Sequence, residues 1–397
     1  MEAAAARNYR DGMTPRAATF LVFAVNGAMI GTWVAHIAWL QERLGISNTA
    51  IGLCLLCMAA GALVSMPLTG QVLGRRSSAP VTRTVTLVFC LMLPLPLLAH
   101  DPIAVGALLF VFGAANGAMD VAMNAHGVTV ERHLRKPIMS SLHGGWSLGG
   151  FAAAGLAAAA STTGLDPRVE SAIVGIALWL AALWLTGHLG NASAHPPTGT
   201  GSGFALPSRP VVLIGALCFL VMMIEGAIGD WSGIYLRSDL DAGAAAAATG
   251  FAGFSLGMAI ARLGGDALNE RLGAGRLLSG GMALVAVALG AVLLIGEPVP
   301  AVLGFLLVGL GVANAVPLLF SAAGRVPPTG PSLAAVFTVG YTGFIVGPPL
   351  IGLLADWIGL PETLGLLCLS ALSVGVLGRR AVHRGDAVDH QSVAARL

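Results

Sequence analysis

The chain has 397 residues, of which 56% are hydrophobic and only 10% charged, with a mean hydropathy of +0.83. A soluble domain carries about 25% charged residues, so this composition cannot cover a water-facing surface and excludes soluble domains, disorder and nucleic-acid binding. Lys and Arg number 21 against 19 Asp and Glu, a net +2 too balanced to mark an anionic partner.

The hydrocarbon core of a bilayer is ~30 Å thick, so a spanning helix needs about 20 apolar residues. Twelve such runs follow one another: roughly 17–40, 49–73, 81–99, 102–130, 138–160, 168–189, 210–236, 244–268, 276–296, 299–322, 332–356 and 360–378. The runs are continuous, whereas barrel strands would show alternating segments of ~10 residues. The expected fold class is therefore all-α integral membrane. Basic residues test the count independently, because cytoplasmic loops collect Lys and Arg. With the N-terminus inside, 17 of the 21 fall on the inner side, Arg43, Arg168 and Arg237 on the outer side, and Arg262 within a span. This places the chain in the cell inner (plasma) membrane with both termini cytoplasmic. No signal peptide is expected, since residues 1–16 are polar and no cleavage pattern follows. Residues 190–209, rich in Gly, Pro, Ser and Thr, read as a cytoplasmic linker. The expected organisation is a tail (1–16), a six-helix bundle (17–189), the linker, a second bundle (210–378) and a tail (379–397).

An ionisable group in a span costs at least ~2.5 kcal/mol, so it faces a cavity or a partner. Taken along the chain, the first span carries Asn26, with His36 towards its outer end, where an interfacial place is expected. Cys54 and Cys57 form a CxxC on an apolar helix without acidic or His neighbours, and all five cysteines read as buried structural thiols. The fourth span offers Asn116, Asp120 and Asn124 at i, i+4 and i+8, one face of a helix. Such a stripe suits a wet cavity with a protonatable acid better than a packed amide pair. His126 lies beyond it, at the inner boundary, with no assigned role. In the fifth span His143 and Trp146 stand one turn apart; His143 either contacts a ligand or is satisfied by a neighbouring helix. The seventh span holds Glu225 and Asp230. Five positions rotate them ~140° apart, so they diverge unless Gly226 and Gly229 allow the helix to unwind. Trp231 is either a substrate platform or an interfacial anchor. Arg262 sits one turn before Asp266, which favours a local ion pair at the inner boundary.

The second half repeats the first. Gly61 precedes Arg75 as Gly257 precedes Arg271, at a shift of 196 residues; Asn116 and Asn314 are 198 apart, Trp146 and Tyr341 195 apart. Small-residue runs such as Gly27 to Gly31, Gly144 to Gly150 and Gly253 to Gly257 let helix backbones approach closely, either as static packing or as sliding surfaces.

Two six-helix halves resemble the major facilitator superfamily. That resemblance implies two pseudo-symmetric bundles, a site near the midplane between them, and a charged motif after the second span of each half. Gly70 to Ser77 keeps its glycine and Arg75 but has Gly74 for the acid, whereas Asp266 to Gly273 keeps the acid, Glu270 and Arg271. Arg75, Arg262, Asp266, Glu270 and Arg271 are thus the expected gating charges. Asp120 to Asn124, Val128 to Val130 and Ser141 to Gly149 are similar to fucose–proton symporters. Those carry a glutamate, an asparagine and a glutamine where this chain has Asp120, Asn124 and His143, which implies proton coupling at Asp120 and ligand contact at His143. With Glu225-Gly226-Ala227 and Asp230-Trp231 included, the pattern is more similar still to the MosC-like branch. The helix-one acid of the symporters has no counterpart between Asn26 and Trp33.

The expected function is a secondary active transporter of a small polar, sugar-like or amino-sugar-like solute, proton-coupled and working by alternating access. Asp120, Glu225 and Asp230 would carry the proton. Asn26, Asn116, Asn124, His143, Trp146, Trp231, Asn314 and Tyr341 would bind the solute. No metal, cofactor or catalytic group is expected, and the chain is read as a monomer. Proton-driven efflux of drugs or metabolites competes with this reading. An intramembrane enzyme using His143 and Asp120 is a third, opposed by the absence of any HExxH spacing.

Overall fold

Each apolar run becomes a helix whose ends are set by local chemistry. The computed structural model describes residues 13–136, 138–190, 208–327 and 329–394. Among them are twelve helical spans: α1 (Pro15–Leu44), α2 (Asn48–Leu73), α3 (Ser78–Leu98), α4 (Pro102–Leu134), α5 (Met139–Thr162), α6 (Pro167–His188), α7 (Arg209–Asp239), α8 (Ala244–Leu272), α9 (Ala274–Ile295), α10 (Pro298–Gly324), α11 (Thr329–Ile358) and α12 (Leu360–Ala394). Proline, whose missing N–H is no loss in a first turn, opens α1, α4, α6 and α10. The side chains of Thr14, Asp101 and Asp166 cap three of those starts by accepting from the N–H groups of Ala17, Ala104 and Arg168 at 3.2, 2.9 and 2.8 Å.

Eleven of the twelve are long and apolar enough to cross a membrane by composition alone. The exception is α5, 24 residues long but built of Gly, Ala and Ser around His143, so its hydropathy is diluted. At the other end, α12 continues to Ala394, past the limit of 378 read from the apolar run. No proline follows residue 378, and nothing stops the helix where the apolar run ends. Residues 191–207, most of the expected linker, lie outside the described residues.

Contacts group the chain into two units: Met1–Gly45 with Cys57–Pro197, and Ile46–Leu56 with Thr198–Leu397. Unit one is tied by two glycine seams. In the first, a methyl on Gly27 would strike the Trp146 carbonyl and one on Gly149 the Ala24 carbonyl, joining α1 to α5. In the second, Gly61 faces the Phe110 carbonyl and Gly113 the Met58 carbonyl, joining α2 to α4. Unit two has the same construction. Gly257 meets the Leu306 carbonyl and Gly309 the Phe254 carbonyl between α8 and α10, while Gly343 meets the Phe219 carbonyl between α7 and α11. All four partners of the α2–α4 seam recur 196 residues later in the α8–α10 seam. The small-residue runs are therefore close-packing surfaces inside each unit. Unit two also seats the start of α2: the Asp356 carboxylate accepts from the N–H groups of Asn48 and Thr49 at 3.0 and 2.8 Å.

Two histidines take structural places. His36, expected towards the outer end of the first span, is 2% exposed, with Nε2 3.1 Å from Oε2 of the equally buried Glu170. It stands at the break that divides α1, and an apolar bundle accepts its imidazole because the first turn of α6 brings an acid to it. His126 fastens three segments, with Nδ1 3.0 Å from Ser78 Oγ and Nε2 3.1 Å from the Leu189 carbonyl. The five cysteines are free thiols; Cys54, Cys90 and Cys218 are buried, Cys57 and Cys368 partly so.

Candidate functional site

In unit one, α1, α4 and α5 meet through a hydrogen-bonded chain of polar side chains. Asn26, 2% exposed, donates from Nδ2 to Asn116 Oδ1 at 3.1 Å and accepts at Oδ1 from Trp146 Nε1 at 2.7 Å. One turn beyond Asn116 lies Asp120, whose Oδ1 accepts from Asn124 Nδ2 at 3.0 Å. The same amide donates to the Asp120 main-chain carbonyl at 2.9 Å. His143 meets Phe23 edge-on, with ring centroids 5.3 Å apart. Asn116, Asp120, Asn124, His143 and Trp146 are all half-buried, in contrast to the buried apolar neighbours Met119, Ala122 and Met123. The spacing read from the sequence thus yields a polar face, and the tertiary fold adds Asn26 and Trp146 to it. Such a face combines a carboxylate with amide and indole donors, a set suited to a hydroxyl-rich solute and to a proton.

In unit two, Arg262 of α8 reaches across to Glu225 of α7, Nη2 to Oε2 at 3.8 Å, with side chains only 15% and 11% exposed. An arginine deep in a bundle is drawn to such a carboxylate on the neighbouring helix. The expected pairing of Arg262 with Asp266 falls on a side chain outside those described. The other oxygen of Glu225, Oε1, is buried and has no hydrogen-bond partner among the described residues. The α-helical part of α7, Arg209–Ile234, runs unbroken through Gly226 and Gly229, so no local unwinding brings Asp230 round to Glu225. Asp230 is half-buried, one helix face away.

Beside Glu225, the position of Gly226 abuts the Phe344 ring. Phe344 is the end of an aromatic ladder. Phe320 of α10 stacks on Phe337 of α11 at 5.6 Å, Phe337 on Tyr341 at 5.1 Å, and Tyr341 meets Phe344 edge-on at 5.9 Å. By helical angle the ladder lies on the opposite side of α11 from the exposed Leu353 and Trp357. Phe337 is nevertheless 47% exposed.

The remaining predicted residues fall elsewhere. Trp231 is fully buried beside Gly352, presenting a face neither to a solute nor to an interface in this arrangement. Asn314 sits at the interruption of α10 and donates to the Ala261 carbonyl at 3.2 Å, which makes it a helix-packing contact. Arg75, Glu270 and Arg271 are exposed at helix ends. Among the described residues no group of three or more His, Cys, Asp and Glu could hold a metal ion. Sequence reasoning missed the ladder, although Phe337, Tyr341 and Phe344 at i, i+4 and i+7 carry a helical-face signal. It also missed Glu170, the partner of His36.

Twelve helices among the described residues, eleven of them long and apolar enough to cross a membrane, with a polar constellation inside each unit, define a polytopic membrane protein. The profile of the Major Facilitator Superfamily matches residues 17–336, and the chain belongs to that superfamily. It is 34% identical to an uncharacterised MFS-type transporter of Yersinia pestis, over 93% of this chain and 96% of that one. To the membrane protein MosC of Rhizobium meliloti it is 30% identical, over 89% and 86% of the two chains. Among solved structures it resembles a mutant of the nucleoside transporter NupG, with TM-score 0.74 and 14% identity, covering 93% of this chain and 100% of that one. It also resembles a mutant of the peptide transporter POT, with TM-score 0.71 and 12% identity, over 93% and 95% of the chains. At these identities the structural likeness speaks for the fold alone.

Proposed function

We propose that the protein is a proton-coupled secondary transporter that moves a small polar solute by alternating access. The observation that carries this reading is the Asp120–Asn124 pair on the same helix face as the Asn26–Asn116–Trp146 chain, a carboxylate and solute-type donors inside an apolar bundle. Protonating a carboxylate removes much of its burial cost. A carrier loaded with proton and solute can therefore reorient where one holding a bare charge cannot. Glu225 supplies a second acidic site, held by Arg262 and with an unpartnered oxygen directed into the protein.

The ladder of Phe320, Phe337 and Tyr341 refines the solute, because the rings place apolar aromatic surface close to Glu225 for a ring-bearing molecule to pack against. Sugars, amino sugars and nucleosides combine such a ring with hydroxyl edges. The bilayer is the inner membrane in this reading, with both termini in the cytoplasm.

The test uses purified protein in liposomes. A stability screen over sugars, inositols, amino sugars, nucleosides and cationic drugs at two pH values first identifies a ligand. Uptake of that ligand driven by a proton gradient should vanish in Asp120→Asn, while exchange of labelled for unlabelled solute persists. Gradient-driven uptake that survives in Asp120→Asn removes Asp120 from the coupling role, and hits confined to hydrophobic cations favour drug efflux.

A further inference from the structure

Away from both polar constellations, α8, α9 and α10 enclose a groove of 590 Å³. Its walls are largely apolar, with Ile260 and Leu268 from α8, Leu277 and Leu284 from α9, and Leu310 from α10, and the polar Asn314 of α10 also lines it. Ile260 is 51% and Leu268 43% exposed, so the groove opens at the surface of unit two. Gly264 and Gly280 line it with nothing within 4 Å of where a side chain would begin. The groove is thus kept open by missing side chains. At one end stand Arg271, near the close of α8, and Arg276, in the first turn of α9, either side of the turn at Gly273. Both arginines are exposed, and neighbouring Glu270 is not among the lining residues.

An occupant must satisfy two unlike demands. The trough runs from Ile260 to Leu272, about 18 Å of helix, and only hydrocarbon fills it without loss. The arginine end calls for an anion that accepts several N–H donors, and a phosphate does so bidentately. A free phosphate would leave the trough to water, and an apolar helix would leave two guanidinium groups unanswered. We propose that this groove is a binding site for an anionic glycerophospholipid, with an acyl chain along the leucines and the headgroup phosphate at Arg271 and Arg276. Basic pockets between spanning helices are known to select anionic headgroups in this way.

The test is native mass spectrometry of the full-length protein in detergent, with added dioleoylphosphatidylglycerol, dioleoylphosphatidylcholine or inorganic phosphate. Phosphatidylglycerol should be retained about thirtyfold over phosphatidylcholine, as two arginines near a headgroup imply. That preference should fall to near parity in the double variant R271Q/R276Q. Equal retention of the two lipids by the unmodified protein, or an unchanged preference in the double variant, overturns the proposal. Displacement of phosphatidylglycerol by millimolar inorganic phosphate would overturn the lipid assignment in favour of a free-anion site. Should the double variant fail to fold, Gly264→Leu and Gly280→Leu, which fill the trough and leave both arginines, should each lower phosphatidylglycerol retention. Full retention in both would refute the groove as the acyl site.

Discussion

The contact between Glu225 and Arg262 makes the sharpest prediction about what holds unit two together. The two charges lie 3.8 Å apart with side chains 11% and 15% exposed, so bulk water screens them little. At an effective dielectric constant near 20 their attraction is ~4 kcal/mol. Much of that offsets desolvation, so the pair's net worth is small, but deleting Arg262 leaves the buried Glu225 charge uncompensated. Such deletions cost about 3–5 kcal/mol. Arg262→Gln should therefore lower the unfolding free energy by about 3–5 kcal/mol. The double variant E225Q/R262Q, which removes the carboxylate that R262Q strands, should be more stable than R262Q alone. Unfolding by SDS titration of purified protein, followed by tryptophan fluorescence, reads all four corners of the cycle. An R262Q variant within about 1 kcal/mol of the parent, or a double variant whose loss is the plain addition of the two single losses, would show no coupling and refute the reasoning.

The glycine seams predict matched effects in the two halves. Gly61→Ala and Gly257→Ala press a methyl onto the Phe110 and Leu306 carbonyls, and each should destabilise by about 1–3 kcal/mol. Gly70→Ala, in the same helix as Gly61 but with open space around it, should be neutral or stabilising by up to about 1 kcal/mol in the same titration. Trp146→Phe removes the N–H that Asn26 Oδ1 accepts at 2.7 Å, leaving a buried acceptor unsatisfied. It should cost about 1–3 kcal/mol and weaken binding of whichever solute the stability screen identifies. Outside the membrane, hydrogen bonds from the Arg168 side chain hold the Asp166 carboxyl at about 2, below its ordinary 3.8. A depressed carboxylate contributes fully above its unfolded value and loses that contribution as pH falls through the folded one. The advantage of the parent over Asp166→Asn in thermal midpoint should accordingly hold at pH 5 and disappear as pH approaches 2.

The helices were legible because their signals are local. Length, apolarity, N1 prolines and arginine placement each report on one segment at a time, and the repeat at 196 residues marked positions that the seams then explained. The stripe on α4 was legible for the same reason, since i, i+4 and i+8 share a face whatever surrounds them. What stayed hidden depends on which helices meet. Arg262 meets Glu225 of α7, a contact that no single helix displays. His36 lay near a helix end, and its partner Glu170 comes from α6. Trp231 and Asn314 carried the residue types of a binding site, and only packing reveals that one is enclosed and the other holds a neighbouring backbone. The ladder joins α10 to α11, so no single helix displays more than part of it.

The composition of α5 bears on how the protein is made. A segment of Gly, Ala and Ser leaves the translocon with little drive to partition into lipid on its own, yet it carries His143 and Trp146 into the bilayer interior. What it does possess is a surface that fits α1 backbone to backbone, and α1 has been synthesised and inserted before it. Retention of α5 would then be an act of docking onto a helix already in place, with α1 as the template on which the polar face of the N-terminal unit is completed.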